Sequence, residues 1–308
     1  NDKYAITDRA IPPAFYNQIT GPVEQRATNV PSPYTFYILP NFNKMKNLKV
    51  REALAKSTDR AGYINALGGE KAATLAKSLV APDLPGYKEN PAFDMPPSGD
   101  PEAAKKLLQE AGVPLPYPIV YTYQGGTPTS DNAAAALKSG WDKAGFSVKL
   151  APLTDTYYDV IQNPNTKSDV YWGGWGADWP SAATVTAPLF DSVLNGVGTN
   201  PKSNGQDYGN YASDTVNKLF GQARNAATVD EANSTVFEFW QATKTGSQWS
   251  AQWGAINSLR GSGWGGSATG SGASRLAGVI RVTEISAGAI PHAMAMQTSN
   301  ACSTFRPP

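Results

Sequence analysis

The stretch IVYTYQGGTPTSDNAAAALKSGWDKAGFSVKL, residues 119–150, changes its period twice. Ile119 to Tyr123 is β-branched and aromatic, the composition of a strand. Ser130 to Ala144 carries Ala134, Leu137 and Trp141 on one side of a helix, and Ser147 to Leu150 is a short strand again. Further on, Tyr157 to Gln162 predicts a short helix and Ser168 to Trp175 a third strand. Such alternation predicts an α/β fold with a parallel sheet, right-handed crossovers and ligand sites at the carboxyl ends of the strands. The loops of interest are therefore Gln124 to Thr129 and Gly176 to Ser181.

Working upstream, Asp100-Pro101-Glu102 marks a helix start. The aspartate accepts from a free N–H, proline suits the first helical position, and Gly112 closes the helix. Residues 81 to 99 hold five prolines, Pro82, Pro85, Pro91, Pro96 and Pro97, which predicts an extended surface loop. Val50, Ala53, Leu54, Ser57, Ala61 and Ile64 recur at spacings of three and four, predicting one amphipathic helix that ends at Gly68 and Gly69. Tyr34 to Leu39 alternates as a strand would and stops at Pro40.

Downstream, Asp214 to Ala226 and Asp230 to about Thr243 have helical period, with Val216, Leu219, Phe220 and Ala223 inward in the first and Val236 and Trp240 in the second. Beyond them the composition shifts. No lysine follows Lys244, Glu284 is the only acid after Glu238, and Gly, Ser, Ala and Trp crowd residues 246–274. That stretch has neither period and reads as low-complexity or loosely ordered chain.

Composition removes several functions. With 308 residues and 41% apolar content the chain can bury a core, and 26 basic against 25 acidic side chains leave no field to attract nucleic acid. One cysteine, Cys302, and one histidine, His292, exclude an internal disulfide and the usual four-ligand zinc site. No apolar stretch reaches the roughly 20 residues of a membrane span. The chain starts at Asn1 without a signal-like segment, which is expected of a processed chain or a fragment.

Several separated segments, in linear order, resemble the extracellular solute-binding proteins of family 5, receptors for dipeptides, oligopeptides and nickel. They are Val50-Arg51-Glu52-Ala53-Leu54 with Ser57-Thr58-Asp59-Arg60; Ser78-Leu79-Val80 and Pro85-Gly86-Tyr87; Asp100 to Leu108 through Ala111-Gly112; Trp141-Asp142-Lys143-Ala144-Gly145; and Asn210-Tyr211 with Val216 and Leu219. The resemblance covers about residues 1–243. It implies the second lobe of a type II periplasmic-binding-protein-like fold, a parallel-rich sheet flanked by helices, with the first lobe largely missing. Residues 1–47 would be a remnant of the first lobe and a crossover strand, 48–243 the ligand-binding lobe, and 244–308 a low-complexity or aberrant tail, one hypothesis being that residues from about 245 onward are the product of an out-of-frame translation or an assembly error.

The same resemblance implies a receptor for a peptide or other small solute, without cofactor, metal or catalysis, that hands its ligand to the permease of an ABC importer. It further implies a monomer outside the cytoplasm, in a periplasm or on the outer face of the membrane, held there only by a lipid anchor that this chain lacks. In the oligopeptide-binding branch a glycine-tryptophan-x-alanine-aspartate segment pairs its aspartate with the peptide's α-ammonium. Gly174-Trp175-Gly176-Ala177-Asp178 is similar to it. Gly174 and Gly176 are expected to let backbone approach the solute as an added strand would, Trp175 to supply an apolar wall, and Asp178 to bind the ammonium.

Alternatives stand beside this. Asp178 could instead cap a following helix, and Trp172 and Trp179 belong more readily to core or rim than to a ligand platform. Asp59 and Arg60 suit a helix dipole or a surface pair. Gln124-Gly125-Gly126-Thr127 lacks the lysine and spacing of a phosphate loop, and His292 reads as incidental. The Trp and Tyr content would also suit an oligosaccharide receptor. A glycoside hydrolase would need a carboxylate pair such as Asp178 and Asp191. A lobe without its partner would expose half a cleft and bind weakly or not at all.

Overall fold

A computed structural model of the chain describes residues 13–30, 32–235 and 263–266. Its strands are β1 (Ala27–Val30), β2 (Tyr34–Pro40), β3 (Tyr117–Gln124), β4 (Phe146–Leu153), β5 (Val170–Gly176) and β6 (Gly263–Gly266). Its helices are α1 (Leu48–Lys56), α2 (Arg60–Ala66), α3 (Pro101–Glu110), α4 (Pro128–Ala144), α5 (Tyr157–Ile161), α6 (Ala182–Phe190), α7 (Ser192–Asn195) and α8 (Asp214–Arg224), and residues 229–235 are helical too. The chain divides into two compact units. In the smaller, β1 and β6 pair as a separate two-stranded sheet, so four residues of the stretch predicted to lack a period are a strand. The helix expected to reach Thr243 beyond residue 235, His292, Cys302 and most of the expected tail lie outside the described residues.

The larger unit holds the site. Its sheet has the order β2-β5-β3-β4. β3 runs parallel to both β4 and β5, as the alternation predicts, while β2 is an antiparallel edge strand along the whole of β5, from Tyr34 opposite Gly176 to Pro40 opposite Val170. β2, placed by the sequence with the residues before 47, is thus the outer strand of the same sheet as β3, β4 and β5.

Both faces of this sheet are covered, because successive side chains of a strand point to opposite sides. On one face Ile38, Ile119, Tyr121 and Val170 pack against Leu54 of α1, Ile64 of α2, Leu108 of α3 and Trp141 of α4. On the other, Tyr37, Leu39 and Tyr171 pack against Tyr157 and Ile161 of α5, Phe190 of α6 and Phe220 of α8. The result is a three-layer α/β/α unit.

Local chemistry sets the helix ends. Asp100 accepts from Ala103 N at 2.9 Å with Pro101 at the first position, and Gly112 has φ +66, so α3 starts and stops where expected. The single helix expected over residues 50–64 is instead two. Asp59 accepts from Gly62 N at 2.8 Å and starts α2 afresh, while Thr58 bonds back to Leu54 O at 2.7 Å. Asp59 is a cap rather than half of a surface pair. Arg60 is buried, and its guanidinium donates to the carbonyls of Phe93 and Met95. Those bonds pin the proline-rich loop, which is not merely extended: Pro91–Phe93 forms a 3₁₀ turn and Phe93 is buried in the second core.

Candidate binding site

β3, β4 and β5 end at Gln124, Leu153 and Gly176 on one edge of the sheet, where the topology places ligand sites. With Tyr121 level with Val170, β5 continues three residues past the end of β3, about 10 Å at the rise of a strand. There the side of β5 turned away from β2 has no bridge partner among the described residues, since β3 pairs with β5 only at Val170 and Tyr171. The segment expected to bind solute, Gly174 to Asp178, is this overhang and the turn that leaves it.

The glycines are accounted for within the chain. A Cβ on Gly174 would strike the ring of Phe36, one on Gly173 the ring of Tyr37, and one on Gly176 would lie 2.9 Å from the ring of Tyr34. Phe36 is itself stacked on Trp172 at 5.4 Å and 19°. Rings of β2 thus cover the bare backbone of β5 across the strand pair, as aromatic residues do over glycines in sheets. The space over the faces of Gly174 and Gly176 is thus filled by rings of this chain, and any approach of solute to their backbone would be along the strand edge. Trp175 also differs from a free apolar wall, for its Nε1 donates to Thr184 O at 3.1 Å and its ring packs against the second core.

Asp178 follows two residues after β5 and is exposed. Its backbone N–H donates to Thr184 Oγ1 at 3.3 Å, and the Thr184 hydroxyl donates to Asp178 Oδ2 at 2.8 Å. It is not a helix cap: the residue that caps α6 is Ser181, whose hydroxyl accepts from Ala183 N. Ala177 links the two anchored neighbours and is half-buried. Trp179 stands 61% exposed just beyond, on the rim of a groove of about 450 Å³ lined also by Ala183, Ala187, Phe220 and Val229.

The neighbouring loop is closed by its own polar groups. Thr127 accepts from Ser130 N and caps α4, and Tyr123 donates to Asp131 Oδ1 at 2.9 Å. Burial and the Asp131 carboxylate push the Tyr123 hydroxyl up to about 12. The hydrolase pair is removed by geometry. Asp191 is fully buried, starts α7, accepts from the N–H groups of Val193 and Leu194, and pairs with Arg224, so its carboxylate has no free face for a substrate. Among the described residues no group of acidic, histidine or cysteine side chains is arranged to hold a metal ion.

Two features of the site escaped sequence reasoning. Ser181 before the apolar run 182–190 is a helix-start signal that could have revealed α6, though Pro188 inside the run argues locally against a helix. The role of Thr184 has no sequence signature.

The fold is that of a lobe of a periplasmic binding protein. The E. coli murein tripeptide-binding protein MppA superposes with a TM-score of 0.67 at 20% identity, over 86% of this chain and 50% of its own. The sequence matches the bacterial extracellular solute-binding proteins, family 5 (middle region), over residues 5–196, and the chain belongs to that family. It is 28% identical to heme-binding protein A of Haemophilus influenzae, over 66% of this chain and 38% of that protein. It is 27% identical to the dipeptide-binding protein of E. coli, over 53% and 31%. The chain therefore spans well under half the length of these curated relatives.

Proposed function

We propose that this chain is the solute-binding lobe of a peptide receptor serving an ABC importer outside the cytoplasm, and that it performs no catalysis. The observation that carries the reading is the exposed Asp178 carboxylate beside a strand edge that has no bridge partner among the described residues, at the carboxyl ends of the parallel strands. The strand edge offers N–H and C=O groups to an extended peptide. The carboxylate replaces the water that the peptide's α-ammonium loses as the site closes around it. Delivery to a permease follows from the family's role, and no helix among the described residues is long and apolar enough to cross a membrane.

The test is competition between a degenerate tripeptide mixture and its N-acetylated counterpart, with bound peptide read by mass spectrometry after equilibrium dialysis. The free-amine pool is expected to be preferred, and Asp178→Asn to weaken it by about thirtyfold, the order of a lost hydrogen bond between charged groups. Equal retention of both pools by the parent chain would sink the peptide assignment. A second reading, an oligosaccharide receptor, is favoured by the exposed ring of Trp179 beside the site. It predicts binding of neutral oligosaccharides that Asp178→Asn leaves intact.

A further inference from the structure

We propose that Thr184 is the positioning residue of the solute site, its hydroxyl holding Asp178 Oδ2 so that Oδ1 is the oxygen presented to the ligand's ammonium. This rests on the reading that Asp178 binds an ammonium group. Three bonds converge on Thr184. Its hydroxyl accepts from the Asp178 backbone N–H at 3.3 Å and donates to Oδ2 of the same residue at 2.8 Å, and its carbonyl accepts from Trp175 Nε1 at 3.1 Å.

The first two close a small ring around one side chain. An exposed aspartate ordinarily samples several rotamers, which lowers the fraction of time its carboxylate is in place. Here one oxygen is occupied, and the other has no partner among the described residues. The occupied oxygen is held by a group that is itself fixed. Thr184 is buried, on the third residue of α6, and α6 is seated in the second core through Leu189 and Phe190. A carboxylate oriented in advance binds an ammonium without the entropy of ordering it.

A Thr184 that only fastened the loop to the helix would act differently. The loop has a second fastening, from the Trp175 indole to the Thr184 carbonyl, which side-chain substitution leaves intact. Loss of the hydroxyl then acts on the carboxylate rather than on the fold.

The experiment compares Thr184→Val, nearly the same shape without the hydroxyl, Thr184→Ser, which keeps it, and Asp178→Asn, each against the free-amine and N-acetylated tripeptide mixtures, with melting temperature as the check on folding. Thr184→Val is expected to weaken the free-amine pool about fivefold, a part of the net worth of one hydrogen bond to a charged group, and to leave the acetylated pool unchanged. Thr184→Ser is expected to match the parent. If Asp178→Asn removes the amine preference while Thr184→Val retains it in full, positioning by Thr184 is overturned and the ammonium site survives. An equal loss in both pools with Thr184→Val also overturns positioning and leaves a structural role. If Asp178→Asn changes nothing, the reading on which this inference rests has failed first.

Discussion

At the scale of the residue, the most constrained positions are glycines whose missing side chains admit something specific. Gly140, within α4, lies against the corner between α1 and α2, where a Cβ would come 2.5 Å from Ser57 O. The neighbouring Trp141 donates to Thr58 Oγ1 at 2.9 Å and is wholly buried, so the helix cannot slide away to make room. Gly140→Ala is therefore expected to destabilise the fold by about 2 kcal/mol, the usual cost of overpacking, despite alanine's better helix propensity. A urea titration would show this as a lower midpoint at unchanged slope, and a midpoint at or above the parent's would refute the contact. Gly173, Gly174 and Gly176 follow the same logic against the rings of Tyr37, Phe36 and Tyr34. The glycines were legible in the sequence, but which rings cover them was not, because that depends on the register of a strand more than 130 positions away.

At the scale of the element, the segment Asn204 to Tyr211 shows how a loop is held by polar groups. Asn210 adopts φ +56, a left-handed conformation that asparagine tolerates better than most residues. Its Oδ1 accepts from Asn204, and its Nδ2 donates to Asn41 at the end of β2. Tyr211 packs edge-on against Phe42 and Phe190. The asparagine-tyrosine pair seen in the sequence is thus a structural latch. Asp207 in the same loop is buried, its Oδ1 accepts from Tyr211 N, and its Oδ2 has no hydrogen-bond partner among the described residues. Burial holds its carboxyl well above the usual carboxylate range, only partly offset by the backbone N–H groups of Tyr211, Gly209 and Asn210.

A carboxyl raised in the folded state binds its proton more tightly there than in the unfolded chain. Its contribution to stability is full below the unfolded value of about 3.9 and is lost as pH rises through the folded value. Asp207→Asn, which is of similar shape and cannot ionise, is accordingly expected to be more stable than the parent at neutral pH, with the gap closing as pH falls toward 4. Urea titrations across that range test the sign. A gap that widens in acid would mean that Asp207 is charged in the folded protein.

At the scale of the whole molecule, one sheet supports two cores, and this couples them. Every strand of the four-stranded sheet has both faces available for packing, so loss of order on one face removes the support of the other. Leu137→Ala on one side and Phe220→Ala on the other are each expected to cost about 3 kcal/mol and to lower one common transition. Near- and far-ultraviolet circular dichroism should trace the same denaturation curve in both variants. Curves that separate would show that the two layers unfold independently.

What the sequence by itself determined was local. Asp100-Pro101 and Gly112 bound α3 through caps and backbone freedom contained in a few residues, and the switches of period placed β3, α4, β4 and β5. Parallel β3, β4 and β5 also followed, because such alternation admits few other packings. The single helix expected over residues 50–64 failed because apolar spacing continues unbroken across a corner that Asp59 caps. Only the tertiary structure decided that β2 runs antiparallel at the edge of β5, that its rings fill the space over the glycines, and that Thr184 holds Asp178. The physical reason is range: caps, turns and periodicity act over a few residues and leave a mark in the sequence there. Strand register and a single buried hydroxyl are chosen by the packing of the whole sheet and leave none.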